Sequence, residues 1–403
     1  MSTVTTPPAP HRARYEVVVA GGGPAGAAAA AVLARAGRRV LLADAGTGPP
    51  KTVESLPGTA RLLLADLGLP APTPGPAALP CYARHTAWGS SVLHTVDLLL
   101  DPHGHAWQLD RPRFDHALRR AAAAAGADLA EGTTVRRPVR HGAEWRLTLT
   151  TGTTHRTVRC RWLVDATGRR AALAVRCGAR RRVRDALVGL LLTLPATPED
   201  QDGSSLVESE PDGWWYTALH PAGRRLLAHF TDADLPGAAL RTGAAARHRL
   251  AATRHVSRRV PPRRLPADAV LRRVAAHTAH LDTAHGEGWV AAGDAALALD
   301  PLSSQGVLTA LYTGMRAGQA VDAELRGERD AAARHTAAVR QAHHAYLREH
   351  RAVHADETRW RQRPFWSRRQ PAPRLGTPAG HTGAPPGGTH RPDPAPHAAH
   401  EEV

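Results

Sequence analysis

One short stretch constrains the fold of this chain more than any other. Residues 15–20 read YEVVVA, a β-branched run, and Gly21-Gly22-Gly23-Pro24-Ala25-Gly26 follow at once. An alanine-rich segment, residues 24–36, then has helical composition, and Gly37 stands where a helix end favours a left-handed residue. A second apolar run, residues 40–43, ends in Asp44, 23 residues after Gly21. This is strand, turn, helix, strand at the spacing of a βαβ unit. Gly21, Gly23 and Gly26 satisfy G-x-G-x-x-G, and each has a task. Gly21 permits the tight turn, Gly23 admits backbone close to a pyrophosphate, and Gly26 lets helix approach sheet. Gly22, Pro24 and Ala25 complete the turn, whose free helical N–H groups favour phosphate. Asp44 is placed to accept from ribose hydroxyls. The pattern predicts a dinucleotide site but does not separate NAD from FAD.

The remaining sequence bounds the rest. With 403 residues and 42% apolar content the chain can bury a sizeable core. The net charge is +16, and Lys51 is the only lysine among 52 basic side chains. The arginines are scattered, with no nucleic-acid motif, so we expect no nucleic-acid partner. Three cysteines (Cys81, Cys160, Cys177) make no disulfide framework, which fits a reducing cytoplasm. No apolar run reaches the ~20 residues of a membrane span, and the first residues lack a secretory signal. The histidines of the tail (His381, His390, His397, His400) follow no ligand spacing, and no metal is expected.

Hydrophobic pattern predicts helices over residues 56–69, 114–125, 307–325 and 331–346, with a proline-rich loop at 70–80. Strands are expected at 133–139, 145–150, 157–164 and 288–292. Residues 186–233 break into four short runs with turn signals between them, a separate antiparallel sheet. The expected organisation is a mobile leader at 1–13 and a dinucleotide domain from 14–80, 110–185 and 275–330. A substrate domain takes 81–109 and 186–274, a helical segment 331–369, and a disordered tail 370–403.

Several later stretches carry a resemblance. Residues 288–296 (GWVAAGDAA), with Gly293 and Asp294, resemble the second FAD fingerprint of flavoprotein aromatic hydroxylases, flavin-dependent halogenases and geranylgeranyl-reductase-like enzymes. Residues 300–307 (DPLSSQGV) are similar to their loop beside the isoalloxazine. Residues 162–169 (WLVDATGR) resemble the middle motif in its halogenase-like form. Residues 109–115 (LDRPRFD) resemble a segment whose first arginine contacts FAD. The resemblance covers residues 14–369. It is nearest the branch that includes flavoproteins hydroxylating peptidyl tryptophan in quinoprotein oxidases, on ESLP (54–57), AWGS (87–90), DGWWY (212–216), ETRW (357–360) and Phe365-Trp366.

The resemblance implies an α/β fold: a Rossmann-like FAD domain of the aromatic-hydroxylase type with an inserted antiparallel substrate sheet. It implies FAD held by Gly21–Gly26, Asp44, Arg111, Asp165, Gly168, Gly293, Asp294, Gly306 and Val307. It further implies reduction by transient NAD(P)H or a partner flavin reductase, then O₂ addition to give a C4a-hydroperoxide that hydroxylates an aromatic ring. The expected substrate is tryptophan- or indole-like, a small metabolite or part of a polypeptide. Ser303, Ser304 and Gln305 are candidates beside the flavin. Trp88, Trp214 and Tyr216 are candidates for the aromatic pocket, and His85 for an acid or base. On one strand, Trp214 and Tyr216 face one side and Trp215 the other. A halogenase is the main alternative, but tryptophan halogenases use a lysine after the motif that Glu54 begins, and none exists here. Guanidinium does not replace an ammonium freely. An isoprenoid reductase is the second alternative, and a non-catalytic binding module the third.

Overall fold

The structure is a computed structural model that describes residues 13–46 and 54–370. Its organising element is the strand Arg14–Ala20, whose Val17, Val18 and Val19 are fully buried. Strands covered on both faces read as continuous apolar runs, and this one pairs in parallel with Val40–Asp44 and with Thr154–Asp165. Trp289–Ala291 and Asp128–Glu131 extend the parallel sheet on either side. The hairpin Thr133–His141 and Glu144–Thr151 continues antiparallel from Thr154–Asp165.

Register brings the sequence motifs to one end of this sheet. Ala20 pairs with both Ala43 and Asp165, and Asp165 pairs with Ala291. The glycine turn, Asp44, the segment after Asp165 and the Gly293-Asp294 pair therefore all stand at the carboxyl ends of adjacent parallel strands, the place where open α/β sheets bind ligands. The helix Pro24–Arg35 covers one face, and the helix Gly306–Leu325 packs across it. Their contact is backbone-close: a Cβ on Gly314 would stand 2.2 Å from the Ala25 carbonyl oxygen.

A second sheet has seven strands. In spatial order they are Arg272–Ala275, Leu187–Pro195, Arg224–Asp232, Gly213–His220, Ser205–Glu210, Ala83–Ala87 and His94–Asp97. Neighbours are antiparallel except Ser205–Glu210 with Ala83–Ala87. A three-stranded sheet (Glu54–Leu56, Ala106–Leu109, Ala78–Cys81) lies beside it. All three cysteines are free thiols. Among the described residues, no helix is long and apolar enough to cross a membrane.

The structure corrects several expectations. Residues 56–69 are not one helix: Glu54–Leu56 is a strand and the helix is only Ala60–Asp66. The leucine spacing there serves a strand end and a short helix, with Pro57 and Gly58 between them. The proline-rich stretch ends in a strand, Ala78–Cys81. The helix expected to stop at residue 346 runs to Asp356, because residues 347–356 contain no Gly or Pro. The leader up to residue 12, the tail from residue 371 and Lys51 lie outside the described residues.

Candidate functional site

Three of the turn's four glycines are each fixed by a different close approach. Gly21 has φ +105°, and a Cβ there would meet the Ala166 carbonyl oxygen at 2.2 Å. A Cβ on Gly22 would meet the Asp44 Cβ at 2.8 Å and the Arg119 side chain at 2.4 Å. On Gly26 it would stand 1.8 Å from the Gly21 carbonyl oxygen. Asp44 closes the turn, accepting from Gly22 N at 2.7 Å and from Gly46 N at 2.9 Å. Gly23 is the helix N-cap with extended backbone, Pro24 begins the helix, and no side chain caps it. Its first N–H groups are therefore offered to a ligand.

The middle motif is internally occupied. The Asp165 carboxylate, 1% exposed, accepts from Thr167 N and Oγ1 and from Leu173 N and Ala174 N. Four donors from its own turn satisfy it, so its side chain shapes the turn 166–174. Gly168, at φ +70°, has nothing within 4 Å of where a Cβ would stand. The turn Gly168–Arg170 touches Gly293–Ala295, and Arg169 Nε stands 3.5 Å from the Asp294 carboxylate. Arg169 also donates to Leu299 O at 2.9 Å. Sequence reasoning passed over Arg169, although it directly follows the DATG segment. Gly293 N donates to Thr313 Oγ1 at 2.9 Å, and a Cβ on Gly293 would stand 2.7 Å from the Ala25 Cβ. The three separated motifs thus meet: Gly21 against Ala166, and Gly293 against Ala25.

Arg111 begins the helix Arg111–Ala124 and is 6% exposed. Its guanidinium donates to Glu54 and, through Nε, to Asp115 at 3.0 Å. Burial alone would weaken its charge, but Glu54 and Asp115 outweigh that and hold it cationic, with Asp294 adding to the effect. It therefore lies within the field of Asp294.

The loop after Asp300 makes one 3₁₀ turn, Pro301–Ser303, and Ser303 Oγ donates to the Asp300 carbonyl oxygen. Ser304 is left-handed, at φ +51°. A non-glycine residue in that region signals a conformation the surroundings impose. Gln305 is the N-cap of Gly306–Leu325 without a side-chain cap. A Cβ on Gly306 would meet nothing within 4 Å, and Val307 is buried directly behind it.

The larger sheet presents an aromatic face to this loop. Trp214, stacked on Phe230 at 4.0 Å, packs with Phe365 and Trp366, while Trp88, Tyr216 and Leu302 border the same cluster. Trp215 points to the opposite face, into a separate core. Trp88 donates Nε1–H to Val353 O at 2.7 Å and meets Trp366 edge-on. Tyr216 Oη donates to Gln108 Oε1 at 3.3 Å. His85 shares its pairing position with Leu206, which belongs to the Trp215 side, and bonds Thr95 Oγ1 at 2.8 Å. It stands on the reverse face and is not beside the loop.

Glu210 anchors the aromatic face from behind. Its carbonyl accepts from Trp366 Nε1, and its carboxylate meets Trp215 Nε1, His229 Nε2 and Arg249 Nε. Burial would raise its pKa, but the hydrogen bonds and charges of His229 and Arg249 win and hold it at about 2. A depressed carboxylate adds stability that is complete above the unfolded pKa near 4.5 and is lost as pH falls toward 2. Glu210→Gln is expected to flatten the acid limb of stability between those values, by roughly 3 kcal/mol at most. Urea melts at pH 6 and pH 3 measure this.

The sequence pattern of the FAD binding domain family matches residues 14–350. The chain belongs to this family. LodB of Marinomonas mediterranea, a putative FAD-dependent oxidoreductase, is 27% identical over 342 residues, 84% of this chain and 92% of that one. Peptidyl tryptophan dihydroxylase QhpG, essential for tryptophylquinone cofactor biogenesis, superposes with TM-score 0.72 at 29% identity over 91% of this chain and 80% of that one. The myxobacterial chondrochloren halogenase CndH shares the fold, with TM-score 0.74 at 22% identity over 90% and 87% of the two chains. The chain is an FAD-dependent oxidoreductase of the monooxygenase and halogenase type. The residues present fit FAD: two uncapped helix starts at the same sheet end, and glycines at 168 and 306 with open space where a Cβ would stand.

Proposed function

We propose that this flavoenzyme hydroxylates a tryptophan- or indole-like ring with O₂, the ring lying between the loop 300–307 and the aromatic face of the larger sheet. The observation that carries the proposal is the contact between them: Leu302 of the loop borders the same cluster as Trp88, Trp214 and Tyr216. Trp214 is 1% exposed and serves as backing. Tyr216 and Trp88, half-buried, are the surfaces offered to a flat apolar substrate. The similarity to a peptidyl tryptophan dihydroxylase favours a tryptophan side chain of a polypeptide over a free metabolite.

In this reading the diphosphate lies on the turn Gly21–Gly26, and Asp44 has lone pairs left for a ribose. Asp294, set by Arg169 and within the field of Arg111, serves the ribityl chain. When bound, FAD supplies reversible two-electron transfer and the activation of O₂, with NAD(P)H or a partner flavin reductase as the electron source. The protein binds, orients and excludes water. The N–H groups of Gly306 and Val307 offer a positive helix end to charge developing at the cofactor edge. Ser304 and Gln305 place that edge.

The test is product mass. The holoprotein, reductant and O₂ are incubated with tryptophan, indole, tryptophan-containing peptides and an unsaturated isoprenoid alcohol, with chloride and bromide present. Gain of oxygen supports the proposal. Gain of halogen, or of two hydrogens on an isoprenoid, replaces it with one of the alternatives.

A further inference from the structure

Where Asp300, the first residue of the loop 300–307, meets the helix Ala331–Asp356, three ligand-type side chains come together. One donor atom each from Asp300, His350 and His354 lies within 4.8 Å of the other two. A point between them is then no more than about 2.8 Å from all three, against ~2.1 Å for a zinc–nitrogen bond. The histidines are one helical turn apart, on one face.

The hydrogen bonds prepare these groups as ligands. His354 is fully buried, and its Nδ1 bonds the His350 carbonyl oxygen at 2.8 Å. That bond places the ring proton on Nδ1 and leaves a lone pair on Nε2, the arrangement of a metal-bound imidazole held by a backbone carbonyl. His354 Nε2 has no partner among the described residues. His350 Nε2 stands 3.3 Å from Asp300 Oδ2. This is long for a charge-assisted hydrogen bond, ~2.8 Å, and close to the ~3.4 Å between two ligands of one tetrahedral ion. Asp300 Oδ1 accepts from Leu302 N at 2.9 Å, which fixes the carboxylate. Arg369, near His354, is already paired with Asp232, and Arg169, next to Asp300 through Leu299 O, stands against Asp294. His350, with 12% of its side chain exposed, marks the way in for an ion and a closing water.

We propose that Asp300, His350 and His354 bind one divalent transition-metal ion of the zinc class, which staples the C-terminal helix to the loop after Asp300. Two imidazoles and a carboxylate are a common donor set for such ions. The role is structural, so the proposal stands or falls apart from the hydroxylation reading.

The experiment uses the full-length flavoprotein without an affinity tag, stripped with EDTA, reloaded with zinc and desalted. Metal per chain, flavin per chain and melting temperature are measured for the natural protein, His350→Gln and His354→Gln. The expected result is about one zinc per chain, a higher melting temperature with zinc, and at least a hundredfold weaker binding in both variants with flavin content kept. Should His354→Gln fail to fold, the more exposed His350→Gln decides. No retained zinc overturns the proposal. So does zinc that both variants keep, which assigns it to other histidines as an adventitious ion only.

Discussion

Gly21→Ala is expected to give a protein that holds no flavin and melts well below the natural chain. The added Cβ would sit 2.2 Å from the Ala166 carbonyl oxygen and 2.7 Å from its carbon. Both are backbone atoms, so no side chain can swing away. The φ of +105° adds a second penalty, because alanine rarely adopts it. Overpacking and left-handed strain together cost about 2–4 kcal/mol, a large part of the 5–15 kcal/mol that holds a domain together. Relief requires the glycine turn to part from the segment after Asp165, and that separation opens the diphosphate cradle. Gly306→Val is the contrast. Its side chain meets no protein atom within 4 Å of the Cβ position, and valine is no worse than glycine in a helix. It should fold with nearly unchanged stability yet retain little flavin, since the new methyl groups fill the space assigned to the cofactor edge. Visible absorbance per chain and a thermal melt read both variants. Normal flavin in Gly306→Val would show that the cofactor edge lies elsewhere. Normal flavin in Gly21→Ala would detach the cofactor from the first turn.

What the sequence made legible was local and punctuated by glycine. The turn at 21–26, the parallel strands leading into it and the four antiparallel runs of 186–233 carry their own signals, in β-branched runs with breakers between them. The end alignment of Ala20, Asp44, Asp165 and Ala291 follows from parallel pairing once each segment is read as a strand. Less visible were elements whose form depends on partners. Glu54–Leu56 is extended because it pairs with Ala106–Leu109, while its leucine-rich continuation reads as helix in isolation. The helix through residues 347–356 is polar, and its histidines acquire meaning only where they stack beside Asp300. Arg169 and Glu210 are likewise silent as sequence: their partners lie 125 and 19 positions away. Asp165 was legible as a motif residue, but the four donors of its own turn that fill its carboxylate were not.

That saturation makes Asp165→Ala the second large effect. Asp165 is 1% exposed, and its two oxygens accept from Thr167 N at 2.9 Å, Thr167 Oγ1 at 2.6 Å, Leu173 N at 2.9 Å and Ala174 N at 2.7 Å. Alanine would leave four donors in a volume too small to admit water to all of them. Each unsatisfied buried donor costs about 1–3 kcal/mol, and partial relaxation brings the total to roughly 3–5 kcal/mol. The expected outcome is poor yield of folded protein and a melting temperature lowered by far more than surface substitutions cause. Asp165→Asn separates the acceptor from the shape. Its carbonyl oxygen keeps one side of the turn, but its amide nitrogen points a donor at donors, so stability should fall between the natural protein and alanine. The flavin then distinguishes two roles. If Asp165 only shapes residues 166–174, the asparagine variant that folds will bind FAD with nearly natural affinity, because Gly21, Asp44 and Asp294 stay in place. If FAD affinity collapses while the melting temperature hardly moves, the carboxylate touches the cofactor directly and the saturated hydrogen-bond arrangement is not the one that operates in the holoprotein.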